Sequence, residues 1–500
     1  NLDVLVTNHI PEKQNISPKF EQINVVNHTS FENDYNDFKQ EPLLPHRFSM
    51  SGPAIAVSDV NGDQLEDFYI GGATGFEGKL YVQNSSGQFT EQKSPSFALD
   101  KIYEDGKASF IDYDNDRDND LIVTCGGNEF PYDKTKYYAR LYRNDGKGNF
   151  TKATDESMPT ISTSSKAVAV GDYNKDGFPD VFIGGGVVPG DYGKRPESFL
   201  LRNESGKFAK TNSCDFSSIG MVSDAVWVDY DQNGWDDLLI VGKWMSPMVY
   251  ENQNGTLSRE PKAIGDFSGW WTSVQKADLN NDGKIDLVFG NYGSNTRYKG
   301  TKTEPLYMMV NDFDRNGSTD AIIGYHQGGY VFPIHTRDNL LDQVPKLKKK
   351  YNRYHKYSIA RIQDIFDSSE MVGASYYTAN FMNSGVAINS GDGAFQFKAL
   401  PMEAQLFPVN AINTFDYDSD GDMDLLLSGN DYGLEIESGR HDAGRGLVLQ
   451  NNGDNSWTAV YHTGYKTIGD VKTVSPIRIG SKASWLVGKN NGKLEVLQAK

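Results

Sequence analysis

The chain has 500 residues, a formal net charge of −18 at neutral pH, 38% hydrophobic and 12% aromatic content. That apolar share supports a sizeable packed core and argues against global disorder, while the negative balance argues against a nucleic-acid backbone as the main partner, because binding phosphates needs positive surface. No apolar run approaches the roughly 18 residues that span a bilayer, and 50 Gly with 27 Tyr fit short strands and tight turns better than long helices.

Residues 1–45 carry no repeat and read as a lead-in, flexible over 1–18, with a strand predicted at Phe20–Val26. The chain begins at Asn1 without Met or signal peptide, which reads as a processed or trimmed product; a membrane anchor could have left with that segment. Cys125 and Cys214 have no metal-ligand spacing and read as two buried thiols, with a disulfide as the alternative.

From residue 46 to 498 one pattern dominates: an acidic nine-residue loop, D-x-[DN]-x-[DN]-G-x-x-D, set between apolar runs. The first copy, Asp59–Asp67, puts Asp59, Asn61, Asp63, Leu65 and Asp67 at its odd positions. The second has Asp112, Asp114, Asp116, Asp118 and Asp120, and the third Asp172, Asn174, Asp176, Phe178 and Asp180. Next come Asp229, Asp231, Asn233, Trp235 and Asp237, then Asp278, Asn280, Asp282, Lys284 and Asp286. The sixth copy has Asp312, Asp314, Asn316, Ser318 and Asp320, and the seventh Asp416, Asp418, Asp420, Asp422 and Asp424.

The first five copies start 53, 60, 57 and 49 residues apart, a period that means propellers or solenoids first. A second hairpin also repeats seven times: an apolar pair, Asn, a Gly turn, then often Phe, as in Leu141–Phe150 and Phe199–Phe208. No such hairpin separates loops five and six, so these two are expected to share one blade. After Asn451 comes a last hairpin without an acidic loop; Gly469-Asp470-Val471 stands where one is expected. The expectation is an all-β, seven-bladed β-propeller with calcium-binding hairpin loops and a small helical insertion, eight blades being the alternative. The strand near Ile23 is expected to complete the last blade.

The insertion is residues 337–370. Leu340, Leu341, Val344, Leu347, Tyr351, Tyr354, Ile362, Ile365 and Phe366 follow helical spacing, Asp338 can cap the first segment and Pro345 suggests a kink. Lys346, Lys348, Lys349, Lys350, Arg353, Lys356 and Arg361 make it the one basic region. It reads either as an insertion helix with a solvated face or as a docking site for an acidic partner.

The loop chemistry points to Ca²⁺, a hard cation that takes six to eight oxygens. Carboxylates and amides at positions 1, 3 and 5, a carbonyl at 7 and Asp at 9 can supply the shell, giving up to seven sites. Gly at position 6 permits the sharp turn; loops one and two carry Gln64 and Arg117 there, which puts their geometry or affinity in doubt. The EF-hand starts alike but needs Glu at position 12. Here that position is Ile70, Val123, Ile183, Ile240, Phe289, Ile323 or Leu427, so EF-hands are excluded. The loops hold 26 Asp, and seven divalent ions would offset fourteen charges. Dispersed sites of this kind read as structural.

Runs such as Ala169-Val-Gly-Asp-Tyr-Asn-Lys-Asp-Gly-Phe-Pro-Asp-Val-Phe-Ile-Gly184 resemble FG-GAP/VCBS repeats, whose calcium loops are similar to those of the integrin α-chain propeller. Residues 45–498 look like the secreted or surface VCBS-repeat proteins of Bacteroidota, often associated with an ASPIC/UnbV domain, although no such tail is evident after Asn490. The resemblance implies extracellular or outer-membrane display and binding without catalysis. No motif for a hydrolase elbow, zinc protease, P-loop or dinucleotide fold occurs, and the histidines lack ligand spacing. Gly439-Arg440-His441-Asp442 could line a polar pocket or be a structural loop. Trp244, Trp270 and Trp271 could stack on sugars or pack in the core. The expected function is a non-catalytic module that binds a protein at the cell surface, within an outer-membrane assembly. A glycan-binding or glycan-processing propeller for polysaccharide uptake and a spacer in a larger adhesin are the alternatives.

Overall fold

The computed structural model describes residues 18–211, 214–216, 219–391 and 393–500. The expected flexible lead-in therefore lies, over residues 1–17, outside the described residues.

Alternating apolar runs form eight antiparallel four-stranded sheets among the described residues, one of them with an additional short strand. Sheet 1 takes Ile55–Ser58, Asp67–Ile70, Lys79–Gln83 and Phe89–Gln92 in chain order, and sheets 2 and 3, starting at Asp105 and Ser164, repeat it. Sheet 4 starts at Met221, sheet 5 at Ser273, sheet 6 at Ala411 and sheet 7 at Val471. The first strands of these seven neighbour one another in order, and that of sheet 7 returns to that of sheet 1. This closed cycle is a β-propeller.

Closure is made by the chain's beginning. Phe20–Ile23 pairs with Glu495–Ala499 as the fourth strand of sheet 7, in the register Phe20 to Ala499 and Ile23 to Val496, as its apolar pattern near Ile23 led us to expect. Phe20 is buried among Phe415, Tyr417, Tyr465 and Trp485. Between sheets, apolar side chains interlock; Ile111, Ile122 and Leu141 of sheet 2 pack with Val181, Ile183 and Leu201 of sheet 3. Each such fully buried chain contributes roughly 1.5–3 kcal/mol, and the seams repeat around the ring.

Two expectations about the blades need correction. Loops five and six do not share a sheet. Asp286–Gly290 pairs with Gly385–Asn389, and the chain between them makes a sheet of its own, ordered Tyr330–Pro333, Asp320–Gln327, Leu306–Asn311 and Ser375–Ala379. Loop six belongs to this inserted sheet. Nor does Gly469-Asp470-Val471 occupy a vacant loop position. In sheet 7 that position is the tight turn between Val471–Ile479 and Lys482–Lys489, while Asp470 precedes the first strand and pairs with Lys472.

The helical segment covers one face of the inserted sheet. Leu340, Leu341, Val344, Leu347, Tyr351, Ile362, Ile365 and Phe366 pack with Met309, Phe313 and Ile322, and the Phe313 and Phe366 rings stack at 3.9 Å. Tyr354 departs from the expected periodicity: it is 66% exposed and its hydroxyl donates to Asp338. The first helix, Arg337–Gln343, is capped by Thr336 rather than by Asp338, because the Thr336 hydroxyl accepts from Asn339 N–H. Pro345 opens a separate 3₁₀ turn, Pro345–Lys348.

Candidate metal centres

In sheets 1–6 an acidic loop joins the first two strands; the remaining copy, the sixth, lies between Leu306–Asn311 and Asp320–Gln327 of the inserted sheet. Position 1 organises the turn by accepting the N–H of position 6. Gly177 reaches Asp172 at 2.9 Å, Gly234 reaches Asp229 at 2.9 Å, Gly283 reaches Asp278 at 2.9 Å and Gly317 reaches Asp312 at 2.8 Å. Loops one and two, expected to differ, take the same path: Gln64 N–H reaches Asp59 at 2.8 Å and Arg117 N–H reaches Asp112 at 3.1 Å. They do so with left-handed backbones, φ 69° at Gln64 and 75° at Arg117, where Gly177 has 89°.

Position 5 accepts the N–H of position 7, as in Phe178 to Asp176 at 3.0 Å and Trp235 to Asn233 at 2.8 Å. Position 9 is the buried pivot. Both of its oxygens accept backbone N–H groups in most loops: Asp120 takes Tyr113 (3.3 Å) and Asn144 (2.8 Å), and Asp286 takes Leu279 (3.0 Å) and Asn389 (2.8 Å). In the inserted sheet, Gln343 donates to Asp320 in place of the hairpin amide.

Three carboxylates converge in four of the loops. Asp112, Asp114 and Asp120 bring one oxygen each within 4.8 Å of one another, as do Asp229, Asp231 and Asp237; Asp312, Asp314 and Asp320; and Asp416, Asp418 and Asp424. Each of these four groups could hold a metal ion. The loops at Asp59, Asp172 and Asp278 carry Asn61, Asn174 and Asn280 at position 3, so an amide oxygen replaces one carboxylate there. At position 5, Asp116 pairs with Arg143 at 3.2 Å, which also reaches Asp114 at 3.3 Å, and Asp282 pairs with Lys284 at 3.4 Å, while Asn233 and Asn316 offer amide oxygens. The position-7 residues Leu65, Asp118, Phe178, Trp235, Lys284, Ser318 and Asp422 enter through their N–H donation to position 5.

The donor set fits a hard cation on an observation of its own. Buried oxygens of Asp114, Asp118, Asp180, Asp229, Asp314 and Asp422 have no hydrogen-bond partner among the described residues. Lone pairs left this way are costly, and a cation relieves the cost. Burial, with neighbouring carboxylates adding to it, pushes Asp120 up to about 8 and Asp180, Asp237 and Asp320 up to about 7; backbone N–H groups oppose the shift. Burial also raises Asp67 and Asp424 to about 6, and raises Asp286. The twelfth positions that excluded EF-hands are buried strand residues, from Ile70 at 1% exposed to Leu427 at 0%.

The loops also hold the ring together through a residue the sequence shows only as a turn former. The hairpin Asn that gives its N–H to position 9 sends its side-chain amide across to the loop of the preceding sheet. Asn144 donates to Val60 O (2.8 Å), Asn203 to Tyr113 O (2.8 Å), Asn252 to Tyr173 O (2.8 Å), Asn389 to Tyr230 O (2.7 Å) and Asn451 to Leu279 O (2.6 Å). Gln83 does this in sheet 1, reaching Arg478 O at 3.0 Å. Its recurrence just ahead of the Gly turn of the outer hairpins was the available signal.

Other expected sites resolve differently. Trp270 and Trp271 are 0% exposed and Trp244 is 5% exposed, so none presents a face to a sugar. Cys125 and Cys214 are buried and not joined by a disulfide. His441 bridges its backbone to Asp431, and Arg440 lies over the Tyr432 ring. Among the described residues no helix is long and apolar enough to cross a membrane.

The sequence matches the FG-GAP-like repeat at residues 59–123, 112–183 and 229–289, each stretch running from one acidic loop through the next. No curated protein matches it. Among solved structures it is similar to an Agrocybe aegerita lectin studied for specific recognition of non-reducing terminal N-acetylglucosamine, at 17% identity, 81% coverage of this chain, 80% of that chain and a TM-score of 0.41. The V. cholerae biofilm matrix protein Bap1 aligns at 10% identity over 95% of this chain and 91% of its own, TM-score 0.37. BBS1N, solved in complex with ARL6DN, aligns at 10% identity over 91% and 94%, TM-score 0.41. The chain is thus a β-propeller that carries FG-GAP-like repeats, with the acidic loops of those repeats as its candidate metal centres.

Proposed function

We propose that this protein is a Ca²⁺-stabilised propeller that acts as a non-catalytic, protein-binding module on the outside of the cell, displayed at the surface within an outer-membrane assembly or secreted. The observation that carries the metal part is the set of unpartnered buried carboxylate oxygens in loops that each serve a separate sheet. Oxygen-only donors suit Ca²⁺, and Mg²⁺ is the poorer fit because it keeps several waters. An extracellular setting agrees with this, since modules there work at calcium of roughly 10⁻⁴–10⁻³ M. Sites spread around a ring support it as staples do, and the faces are left for binding.

The docking surface in this reading is the basic segment on the inserted sheet. Lys346 is used internally, paired with Glu370 at 2.6 Å; Lys350 donates to Ile365 O at 3.1 Å; and Arg361 lies 3.6 Å from the centre of the Tyr330 ring. Lys348, Lys349, Arg353 and Lys356 are exposed, beside exposed Tyr354 and Ile359. Four cations around an apolar centre suit an acidic protein surface. The test is recovery of a partner from native membranes by the wild type and by a variant with all four changed to Glu. Loss of the partner is expected; undiminished recovery sinks the docking surface, and calcium titration of the same proteins judges the metal part separately.

A further inference from the structure

The chain carries an excess of 18 negative charges, yet one end of its ring is lined with lysines. Lys107, Lys166 and Lys472 stand near the starts of the first strands of sheets 2, 3 and 7, and Lys243 near the end of the second strand of sheet 4. Antiparallel order puts all four at the same end, opposite the acidic loops, which follow the ends of the first strands. There they surround a cavity of about 100 Å³, together with His46 and Asp431.

The carboxylates nearby are already engaged. Asp431 accepts from Gly433 N–H at 3.0 Å and from the Tyr292 hydroxyl at 3.1 Å, and lies 3.6 Å from Lys472 and 3.7 Å from His46. Lys472 also pairs with Asp470 at 2.9 Å, and the charge of Glu32 adds to the field that holds it protonated. Asp224 accepts the N–H groups of Ala225 and Val274, at 3.1 Å each. Lys107, Lys166 and Lys243 are left over, the last two against Phe48. The ammonium groups of Lys166 and Lys243 sit 5.2 and 5.1 Å from the Phe48 ring centre, Lys243 also contacts His46 Nε2, and among the described residues neither forms an ion pair. Lys243 is 8% exposed and Lys166 is half-buried.

Buried cations without a counter-charge are destabilising unless something supplies the charge. Burial, and then the neighbouring lysines, draw Lys166 down to about 8 and Lys243 well below the usual lysine range, and Asp431, shared with Lys472 and His46, opposes the shift of both. A lysine placed so is a structural burden to an empty protein and an asset to one that binds an anion.

We propose that the chamber binds a small oxyanion with two negative charges, phosphate or a short dicarboxylate, held by Lys166 and Lys243 with His46 beside them. The cavity admits a group of that size. Neither the calcium sites nor the basic helices take part, so the site stands or falls independently of them.

Calorimetric titration of the full chain, with calcium present, tests this using inorganic phosphate and succinate in separate runs against chloride at matched ionic strength. Saturable heat at one site per chain is expected, and whichever anion gives it identifies the source. Lys166→Met and Lys243→Met are each expected to weaken binding by at least about tenfold, the value of one charge-assisted hydrogen bond, while leaving the calcium-induced rise in melting temperature unchanged. No heat with either anion overturns the proposal, and so does undiminished binding in both variants. Should a variant misfold, acetylation footprinting of the wild type decides: the anion is expected to shield Lys166 and Lys243, and unchanged labelling overturns the site.

Discussion

Asp180 accepts the backbone N–H of Asn203 at 2.8 Å, and this one bond ties a metal loop to the outer hairpin of its own sheet. The Asn203 side chain then donates to Tyr113 O, in the loop of the preceding sheet, at 2.8 Å, and to Pro179 O at 3.1 Å. Loop, hairpin and neighbouring loop are therefore one hydrogen-bonded unit, and the unit recurs around the ring. A cation that orders one loop also stiffens the seam beside it.

Asn203→Ala removes both donated side-chain bonds and the one its oxygen accepts from Gly206 N–H at 2.9 Å, and it leaves buried carbonyls without donors. Three bonds at about 1 kcal/mol each, plus the penalty for stranded groups, give an expected loss of about 3–5 kcal/mol. Urea denaturation at saturating calcium measures it. Asn254→Ala, in an exposed turn with φ 55°, serves as the control and is expected to change stability by less than about 1 kcal/mol. Equal effects from the two would break the latch argument.

Calcium removal is expected to destabilise the propeller, and pH sets by how much. Asp120 (about 8) and Asp180, Asp237 and Asp320 (about 7) sit above the ordinary value of 3.8 in the metal-free fold. Between 3.8 and those values the folded state holds protons that the unfolded state has released, so the metal-free protein loses stability as pH rises through this window. Calcium ligands must be deprotonated, so the metal's contribution grows over the same window. Melting curves with chelator and with calcium at pH 5 and pH 8 should diverge, with the larger calcium-induced rise at about pH 8. A chelated protein that becomes more stable from about pH 5 to 8 contradicts the assignment.

Backbone strain separates the loops that follow the Gly rule from those that break it. Gly177 has φ 89° with open space where a Cβ would stand, so Gly177→Ala meets no clash and sets the left-handed penalty of about 1–2 kcal/mol against the roughly 0.5–1 kcal/mol returned by a stiffer unfolded chain, for a net loss of up to about 1 kcal/mol. Arg117→Gly runs the other way: it relieves φ 75° but loosens the unfolded chain by about 0.5–1 kcal/mol, for a net gain of up to about 1 kcal/mol. Thermal unfolding of both variants tests the pair. A stabilised Gly177→Ala would falsify the conformational account.

Most of the ring was legible because its signals are local. Seven copies of one loop, with apolar runs on either side, specify hairpins whatever surrounds them. What escaped was long-range. Asp286–Gly290 pairs with a strand almost a hundred residues later, and nothing in the spacing of loops five and six reveals that a whole sheet intervenes. Positive φ at position 4, from Asn115 to Ser419, was equally hidden, since Lys175 and Arg315 do not advertise a left-handed backbone. Lys166 and Lys243 look like ordinary strand-end lysines until seven sheets bring them to one chamber.

The closing strand offers a last test, because it does two separable things. Phe20 is 2% exposed and fills an aromatic pocket, while its strand covers the free edge of Glu495–Ala499. Phe20→Ala keeps the edge covered and is expected to cost about 3–5 kcal/mol. Deleting the chain through Ile23 also uncovers that edge, and an unpaired edge strand is a template for pairing with another chain. Size-exclusion chromatography of the two proteins in calcium distinguishes the roles: Phe20→Ala should elute as the wild type does and melt earlier, whereas the deletion should associate. If both stay in the wild-type elution position, edge protection is not what the strand provides; if both associate, loss of Phe20 packing alone is enough to open the ring.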